Sequence, residues 1–183
     1  ESAFENKVPL LLLDRPNPNG FYVDGPVLET KYRSFVGRQP VPIVYGMTIG
    51  EYAMMLTGEN WLSEKANAYA DYFKKVEQHH PDTPFHFMTI KCKEYDHKTK
   101  YVLPVKPSPN LPNIQSIYLY PSTCFFEGTV LSEGRGTPKP FQVFGHPSLP
   151  KNLYSFTPNP NEGAKNSKLY GQLCYGWDLS GTP

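Results

Sequence analysis

The sequence has little charge imbalance and no long apolar run, and each absence excludes a class of protein. Its 18 basic and 17 acidic residues form no block of like charge. The sequence therefore lacks the basic cluster that indicates binding to nucleic acid or to an anionic membrane surface. The longest apolar run, residues 8–13, contains Pro9 and is far too short to cross a bilayer. We therefore expect no nucleic-acid partner and no membrane span.

Cysteine is also scarce. Cys92, Cys124 and Cys174 form no CxxC pair and have no histidine at ligand spacing, which predicts neither a disulfide framework nor a zinc site. We interpret them as buried thiols and predict no metal and no cofactor. The first seven residues, ESAFENK, lack the basic and apolar regions of a secretory signal, so we expect a mature chain or a fragment.

Proline, glycine and aromatic residues are abundant instead. Twenty prolines among 183 residues are about twice the ordinary share of roughly 5%, so much of the chain must be loop. The 13 tyrosines, 11 phenylalanines and 2 tryptophans are spread along the chain, whereas disordered segments are depleted in aromatic residues. The composition therefore predicts ordered loops.

The N-terminal apolar run is the first candidate for placing a ligand. Residues 9–13 read as a strand buried on both faces of a parallel sheet, and Asp14, Arg15 and Asn17 follow it at once. Ligands bind beyond the carboxyl ends of such strands, so this loop is a candidate binding edge. The alternative is that Asp14 and Arg15 pair with each other.

Further elements follow from local patterns. Thr48 and Glu51 match a capping box, so a helix should begin there and stop at Gly58, with Met54 and Met55 in the core. A polar stretch before this helix contains Arg33 and Phe35, whose side chains could bind a ligand. The other predicted elements are a helix over 61–78 closed by His79, His80 and Pro81, strands over 85–92, 141–144 and 169–179, a helix from Asn113 ended by Pro121, a proline-rich loop over 101–112, and a surface excursion over 152–167.

The stretch EGTVLSEGRGTPKPF, residues 127–141, has the highest density of side chains that could bind a ligand. Glu127 and Glu133 can accept hydrogen bonds from hydroxyl groups, and Arg135 presents a planar fork suited to a carboxylate or a phosphate. Its glycines let backbone approach a ligand closely. The alternative is that Arg135 pairs with Glu127 or Glu133 to pin the loop. If the stretch were extended, the two carboxylates would lie roughly 20 Å apart.

Several separated motifs together resemble one family. They are LLLDRPNPNG, GPVL, RSFVG, VPIVYGMTIGEYA, PSPNLPNIQSIYLYPSTCFFEGT and LSEGRGTPKPFQVFGHP, and they resemble the NamZ (YbbC-like) exo-β-N-acetylmuramidases over residues 8–147. The resemblance implies an α/β fold with a cleft between two parts. Residues 1–45 would be the end of a Rossmann-like parallel sheet, and residues 46–183 a smaller mixed α/β domain with long Pro/Gly-rich loops, truncated at its C-terminus.

The resemblance also implies a function, namely release of terminal N-acetylmuramic acid from peptidoglycan fragments in extracytoplasmic cell-wall turnover and recycling. The expected partners are a muramyl saccharide and a missing N-terminal half that carries the catalytic glutamate, so this chain alone should be inactive. The alternative is a non-catalytic sugar-binding or scaffolding domain. The cleft residues that the resemblance carries over are Asp14, Arg15, Asn17, Asn110, Glu127, Glu133 and Arg135, with Glu127 and Glu133 as secondary catalytic candidates.

One position departs from the family pattern. Val130 stands where the family commonly has Asn, which removes one possible hydrogen bond to a sugar. We therefore expect substrate detail to differ. We also expect the loop from Asp14 to Asn17 to lie on the same face of the molecule as Arg135.

Overall fold

The computed structural model describes residues 1–80, 82 and 85–182. The chain is mixed α/β, with small sheets and helices, and it divides into two compact units, Glu1–Tyr101 and Val102–Pro183. Parallel pairing joins strands from either side of residue 45 within the first unit. The domain boundary between residues 45 and 46 stays a prediction from the sequence.

Among the residues that the structure describes, the first unit has three helices and four strands. Parallel pairing joins β1 to β4 from Leu10↔Phe87 to Leu13↔Ile90, and antiparallel pairing joins β2 to β3. A 3₁₀ turn, Thr30–Tyr32, lies between β2 and β3. The elements are α1 (Ser2–Glu5), β1 (Leu10–Leu13), β2 (Asp24–Val27), β3 (Pro42–Val44), α2 (Ile49–Gly58), α3 (Glu64–His79) and β4 (Phe87–Ile90).

The parallel pairing of β1 agrees with the sequence-based expectation, but its burial does not. Alternate leucines are exposed, Leu11 at 48% and Leu13 at 68%, so the prediction of an interior strand buried on both faces is wrong for the described residues. The reason is that β1 and β4 form a two-stranded sheet. The outward side chains of β4, Met88 and Ile90, are likewise exposed.

Helix α2 begins where its capping box predicts. Thr48 Oγ1 accepts from the backbone N–H of Glu51, and Glu51 Oε2 accepts from the backbone N–H of Thr48. The helix ends at Gly58 as predicted. Met54, however, is exposed rather than part of the core.

The core of the first unit forms on α3. Ala66 and Ala70 are small enough for Phe4 to pack against them, and Leu10 and Phe87 from the two parallel strands contact the same cluster. His86 is also buried here. The predicted helix over 61–78 is therefore confirmed, with Ser63 as its N-cap. Pro81, predicted to close it, lies outside the described residues.

Over its described residues, 102–182, the second unit has one helix and a three-stranded antiparallel sheet in the order β5-β7-β6. Val143, Phe156 and Cys174 form its buried cluster, and a 3₁₀ turn, Cys124–Gly128, follows the helix. The elements are α4 (Ile114–Thr123), β5 (Val143–His146), β6 (Tyr154–Phe156) and β7 (Cys174–Asp178).

Two sequence-based expectations need correction, one about the end of α4 and one about the cysteines of both units. Pro121 does not end α4, because the last turn keeps other bonds: Thr123 Oγ1 donates to the Leu119 carbonyl and the Cys124 N–H donates to the Tyr120 carbonyl. The three cysteines are free thiols, but only Cys174 is buried; Cys92 and Cys124 are partly exposed. Within the part of the chain that the structure describes, no helix is long and apolar enough to cross a membrane.

Candidate functional site

The loop that holds Glu133 and Arg135 is a fixed, largely buried structure. The backbone of Ser132 exchanges two hydrogen bonds with Gly145 on β5, and the Phe141 N–H donates to the Glu133 carbonyl. Thr137 Oγ1 donates to the Gly134 carbonyl across the turn. The loop therefore presents its charged side chains from a rigid base.

The glycines of this loop serve the loop itself. Gly134 and Gly136 both have positive φ, 80° and 81°, a region that a residue with a Cβ rarely adopts. A Cβ on Gly134 would lie 2.8 Å from the Val143 carbonyl, and one on Gly136 would lie 2.6 Å from the Asn159 carbonyl. The close approach allowed by these glycines is thus to neighbouring backbone rather than to a ligand.

Arg135 is held by both acids of the loop. Its Nη2 donates to Glu127 Oε2 at 3.0 Å, and its Nε lies 3.8 Å from Glu133 Oε1. The guanidinium also stacks over the ring of Phe141, 5.2 Å from its centroid, an attraction between a cation and an aromatic face. The pairing that the sequence analysis kept as an alternative is therefore present, although about a third of the Arg135 side chain stays exposed.

A second cation, Lys168, completes the cluster and was missed by the sequence analysis. Its Nζ lies 2.8 Å from Glu133 Oε2 and donates to the Phe126 carbonyl at 2.7 Å. The Glu133 side chain is only 4% exposed, so its charge requires a partner of this kind. The sequence signal for this role was weak: Lys165 lies in the predicted surface excursion over 152–167, and Lys168 directly follows it.

These side chains surround an open cavity of about 430 Å³. Glu127, Glu133 and Arg135 line one side, and the 163–168 segment, including Lys168, lines the other. Two carboxylates and three cations, Arg135, Lys165 and Lys168, thus line one cavity, which folding has assembled from parts distant in sequence. Val130 is exposed and is absent from this lining.

Asn110 fixes the far wall of the cavity. Its side-chain amide donates to the Gly163 carbonyl at 2.7 Å, and a Cβ on Gly163 would lie 2.5 Å from Asn110 Oδ1. Asn110 therefore positions the segment that faces Glu127 and Arg135. The structure brings four of the seven predicted residues into or beside one cavity of the second unit.

The other three predicted residues belong to the first unit. The Asp14 carboxylate does not pair with the Arg15 side chain within the described part of the chain; it accepts from Thr48 Oγ1 at 2.6 Å and from the Gly50 N–H at 2.9 Å. It thus binds the N-terminus of α2, where negative charge is favourable. The Asn17 side chain donates to the Met47 carbonyl. Arg15 is exposed.

The cluster in the second unit can bind a ligand that carries both hydroxyl groups and an anionic group. Carboxylates accept hydrogen bonds from hydroxyls, and a guanidinium or an ammonium can hold a carboxylate. Glu133 is already engaged by cations on both sides. With both oxygens held in this way, the Glu133 carboxylate is better suited to holding Arg135 and Lys168 in position than to transferring a proton.

Comparison with known proteins gives a consistent picture. The family model described as exo-beta-N-acetylmuramidase NamZ, N-terminal, matches residues 1–115, and the one described as exo-beta-N-acetylmuramidase NamZ, C-terminal, matches residues 118–182. The chain is 36% identical to the peptidoglycan beta-N-acetylmuramidase NamZ of Bacillus subtilis (strain 168). That alignment covers 98% of this chain and 42% of the relative.

Two solved structures have the same fold over nearly the whole chain. Both are DUF1343 family proteins from Bacteroides fragilis NCTC 9343. The first is 48% identical with a TM-score of 0.86 and covers 100% of this chain and 47% of its own. The second is 26% identical with a TM-score of 0.74 and covers 97% of this chain and 46% of its own. The chain thus spans less than half the length of these relatives.

Proposed function

Because the chain belongs to the NamZ exo-β-N-acetylmuramidase family, we propose that it is part of a glycoside hydrolase that releases terminal N-acetylmuramic acid from peptidoglycan fragments. The two family models in consecutive order carry this proposal. The activity named for the Bacillus subtilis relative supports it. The chain's share of that relative's length makes the activity one of a longer protein.

The cavity beside Arg135 is the proposed place for the sugar. Muramic acid differs from glucosamine by a lactyl ether that ends in a carboxylate, and a guanidinium can hold such a group through two parallel hydrogen bonds. Glu127 would accept from sugar hydroxyls, while Glu133 and Lys168 hold the loop. The partial exposure of Arg135 and its place in the cavity lining support this assignment.

We do not assign the bond-cleaving step to Glu127 or Glu133. A glycosidase ordinarily needs one carboxylic acid that donates a proton and a second group that attacks or activates water. Both acids of this loop are paired with cations. We infer that the catalytic glutamate lies outside these 183 residues, as the family resemblance implies.

The test compares two proteins on a chromogenic N-acetylmuramide. The complete gene product should release the chromophore, and the 183-residue chain should not exceed the background rate. The matching N-acetylglucosaminide serves as the substrate control because it lacks the lactyl group. Failure of the complete product to cleave the muramide would overturn the proposed activity, and cleavage by the short chain would move catalysis onto Glu127 or Glu133.

A binding module without catalysis is the second candidate, favoured by the ion-paired state of both acids. It predicts that the complete protein binds muramyl saccharides without consuming them. Calorimetry together with product analysis separates the two functions. Observed binding with no product at long incubation would favour the module.

The Rossmann-like character of the fold, the cellular location and the partners are part of the same proposal. The parallel pairing of β1 with β4 supports the interpretation of residues 1–45, which contain β1, as the end of a Rossmann-like sheet. Action on peptidoglycan would place the protein outside the cytoplasm, in cell-wall turnover and recycling. Its partners would be the muramyl saccharide and the rest of the longer chain.

A further inference from the structure

A tight turn in the first unit exposes two apolar side chains completely. The backbones of Ser34 and Gly37 exchange two hydrogen bonds, 2.8 and 3.3 Å, and this closes a turn with Phe35 and Val36 at its tip. Phe35 is 99% exposed and Val36 is 94% exposed. Such full exposure of neighbouring large apolar residues has no value for folding, because burial of apolar surface is what stabilises a fold.

Two arginines flank the closed turn. Arg33 immediately precedes Ser34, and Arg38 immediately follows Gly37, so their backbones are neighbours at the base of the turn. Like charges at facing positions repel each other. Within the part of the chain that the structure describes, no carboxylate lies within 4.0 Å of either guanidinium. The hydrogen-bond partner of Arg33 is a neutral group, Gln39 Oε1, at 3.4 Å.

Both arginines line one cavity of about 480 Å³. Trp61 and Phe35 contribute aromatic surface to the same cavity, and Glu1, which carries a carboxylate, is also part of its lining. Gln39 links the two sides, since its Nε2 donates to the Trp61 carbonyl at 2.9 Å. Among the described residues, the cavity therefore combines two arginines that have no carboxylate within 4.0 Å, two aromatic side chains and one acid, Glu1.

We propose that this cavity binds a short acidic peptide with two carboxylates, of the kind that peptidoglycan carries on muramic acid. Each guanidinium can take one carboxylate through paired hydrogen bonds, and an anion between them removes their mutual repulsion. Phe35 and Trp61 cover the small apolar side chains beside the carboxylates. Only the identity of the peptide rests on the proposed function; the two arginines and the cavity do not.

The peptide belongs to a different muramic acid from the one assigned to Arg135. Attachment of a peptide converts the lactyl carboxylate into an amide, which removes the anionic group that Arg135 would bind. The sugar held at Arg135 is therefore one without a peptide. The cavity at Arg33 and Arg38 would bind the peptide carried by another muramic acid of the glycan.

Tryptophan fluorescence provides a direct readout of this cavity. The chain has two tryptophans, Trp61 in the cavity and Trp177 on β7, so a Trp177→Phe background isolates the signal of Trp61. The probes are N-acetylmuramyl-L-alanyl-D-glutamate and its D-isoglutamine form, which replaces one carboxylate with an amide. We expect a saturable change in Trp61 emission and about tenfold tighter binding of the dicarboxylate.

Charge-removing variants test the arginines. Arg33→Gln and Arg38→Gln should each abolish the preference for the dicarboxylate over the amide. Lys65→Gln is the matched control, because Lys65 is an exposed cation on α3 outside the cavity lining. Both arginines are exposed, and equal melting temperatures of all three variants would establish that the fold is kept.

The outcomes separate this inference from the proposed function. An unchanged Trp61 signal with both peptides, or a preference that survives in Arg33→Gln and Arg38→Gln, would overturn the peptide site even if the complete protein cleaves muramides. Equally strong displacement by inorganic phosphate would also overturn it, as a general anion site. Loss of the preference in both variants would support the site even if no muramide is cleaved.

Discussion

The ammonium group of Lys168 lies 2.8 Å from Oε2 of Glu133, a carboxylate whose side chain is almost completely buried. The same ammonium group donates to the Phe126 carbonyl. One side chain thus neutralises the buried acid of the candidate site and joins the 3₁₀ turn after α4 to the loop that closes the cavity.

Lys168→Met should destabilise the protein. Loss of one partner of a buried ion pair typically costs about 3–5 kcal/mol, and because Lys168 is itself about a third exposed, we expect about 2 kcal/mol. Chemical denaturation gives the value. The double variant with Glu133→Gln should recover much of the loss, because no buried charge is then left alone; additive losses would contradict a direct pairing.

Arg135→Lys should weaken muramyl binding and leave stability nearly unchanged. Lysine keeps the charge but loses the planar fork, so affinity should fall on the order of tenfold. The ion pair with Glu127 joins two side chains that are each about a third exposed, so it is worth at most about 1 kcal/mol. Calorimetry with N-acetylmuramic acid and N-acetylglucosamine, beside a melting curve of the complete protein, tests this.

Glu127→Gln is the companion variant for Arg135. It removes the partner acid but leaves the guanidinium in place, so the preference for the muramyl ligand should persist. If Arg135 only pins the loop, both variants should instead lower the melting temperature and affect the two sugars alike. A stable Arg135→Lys variant with an undiminished muramyl preference would remove Arg135 from the site.

Asp14→Ala should cost stability even though the sequence suggested a ligand role. Its carboxylate accepts from Thr48 and from the Gly50 N–H at the start of α2, and losing such a cap typically costs about 1–2 kcal/mol. Arg15→Ala, at an exposed neighbour, should leave the unfolding free energy unchanged. Equal stabilities of the two variants would show that Asp14 does not anchor the helix.

His97 should make the protein less stable as pH rises through the neutral range. Its pKa is raised above the usual value, first by its hydrogen bond to the Gly20 carbonyl and then by the Glu51 carboxylate 3.0 Å away. A raised folded pKa contributes stability that is fully present below the unfolded pKa, about 6.5, and is lost as pH climbs through the folded pKa. His97→Gln should remove this slope in denaturation curves across pH 5–9.

His86 should have the opposite effect in acid. Burial among Phe4, Tyr69 and Phe73 lowers its pKa, and neither ring nitrogen has a hydrogen-bond partner among the described residues. A lowered folded pKa means that stability falls as pH drops below the unfolded value. His86→Phe should flatten the acid limb of the stability curve; an unchanged acid limb would show that His86 does not protonate on unfolding.

The starts of α2 and α4, and the existence of α3, β1, β4 and β7, could be predicted from the sequence because their causes are local. Thr48 and Asn113 cap α2 and α4 through side chains three positions from their partners, and the alternation in β4 follows from a strand with one wet face. The family motifs, read in order, also indicated Glu127, Glu133 and Arg135, which line one part of the cavity. These signals need no knowledge of what packs against them.

The tertiary structure alone decided what the candidate residues touch. Nothing near Asp14 in sequence indicates that its carboxylate binds the start of α2, and nothing near Glu133 indicates Lys168 as its partner. The apolar run predicted that Leu11 and Leu13 are buried, but both are exposed. An apolar run shows only which residues are present, whereas their burial depends on how many strands the sheet has. Pairing between distant residues is set by the packing of the whole chain, which local patterns do not contain.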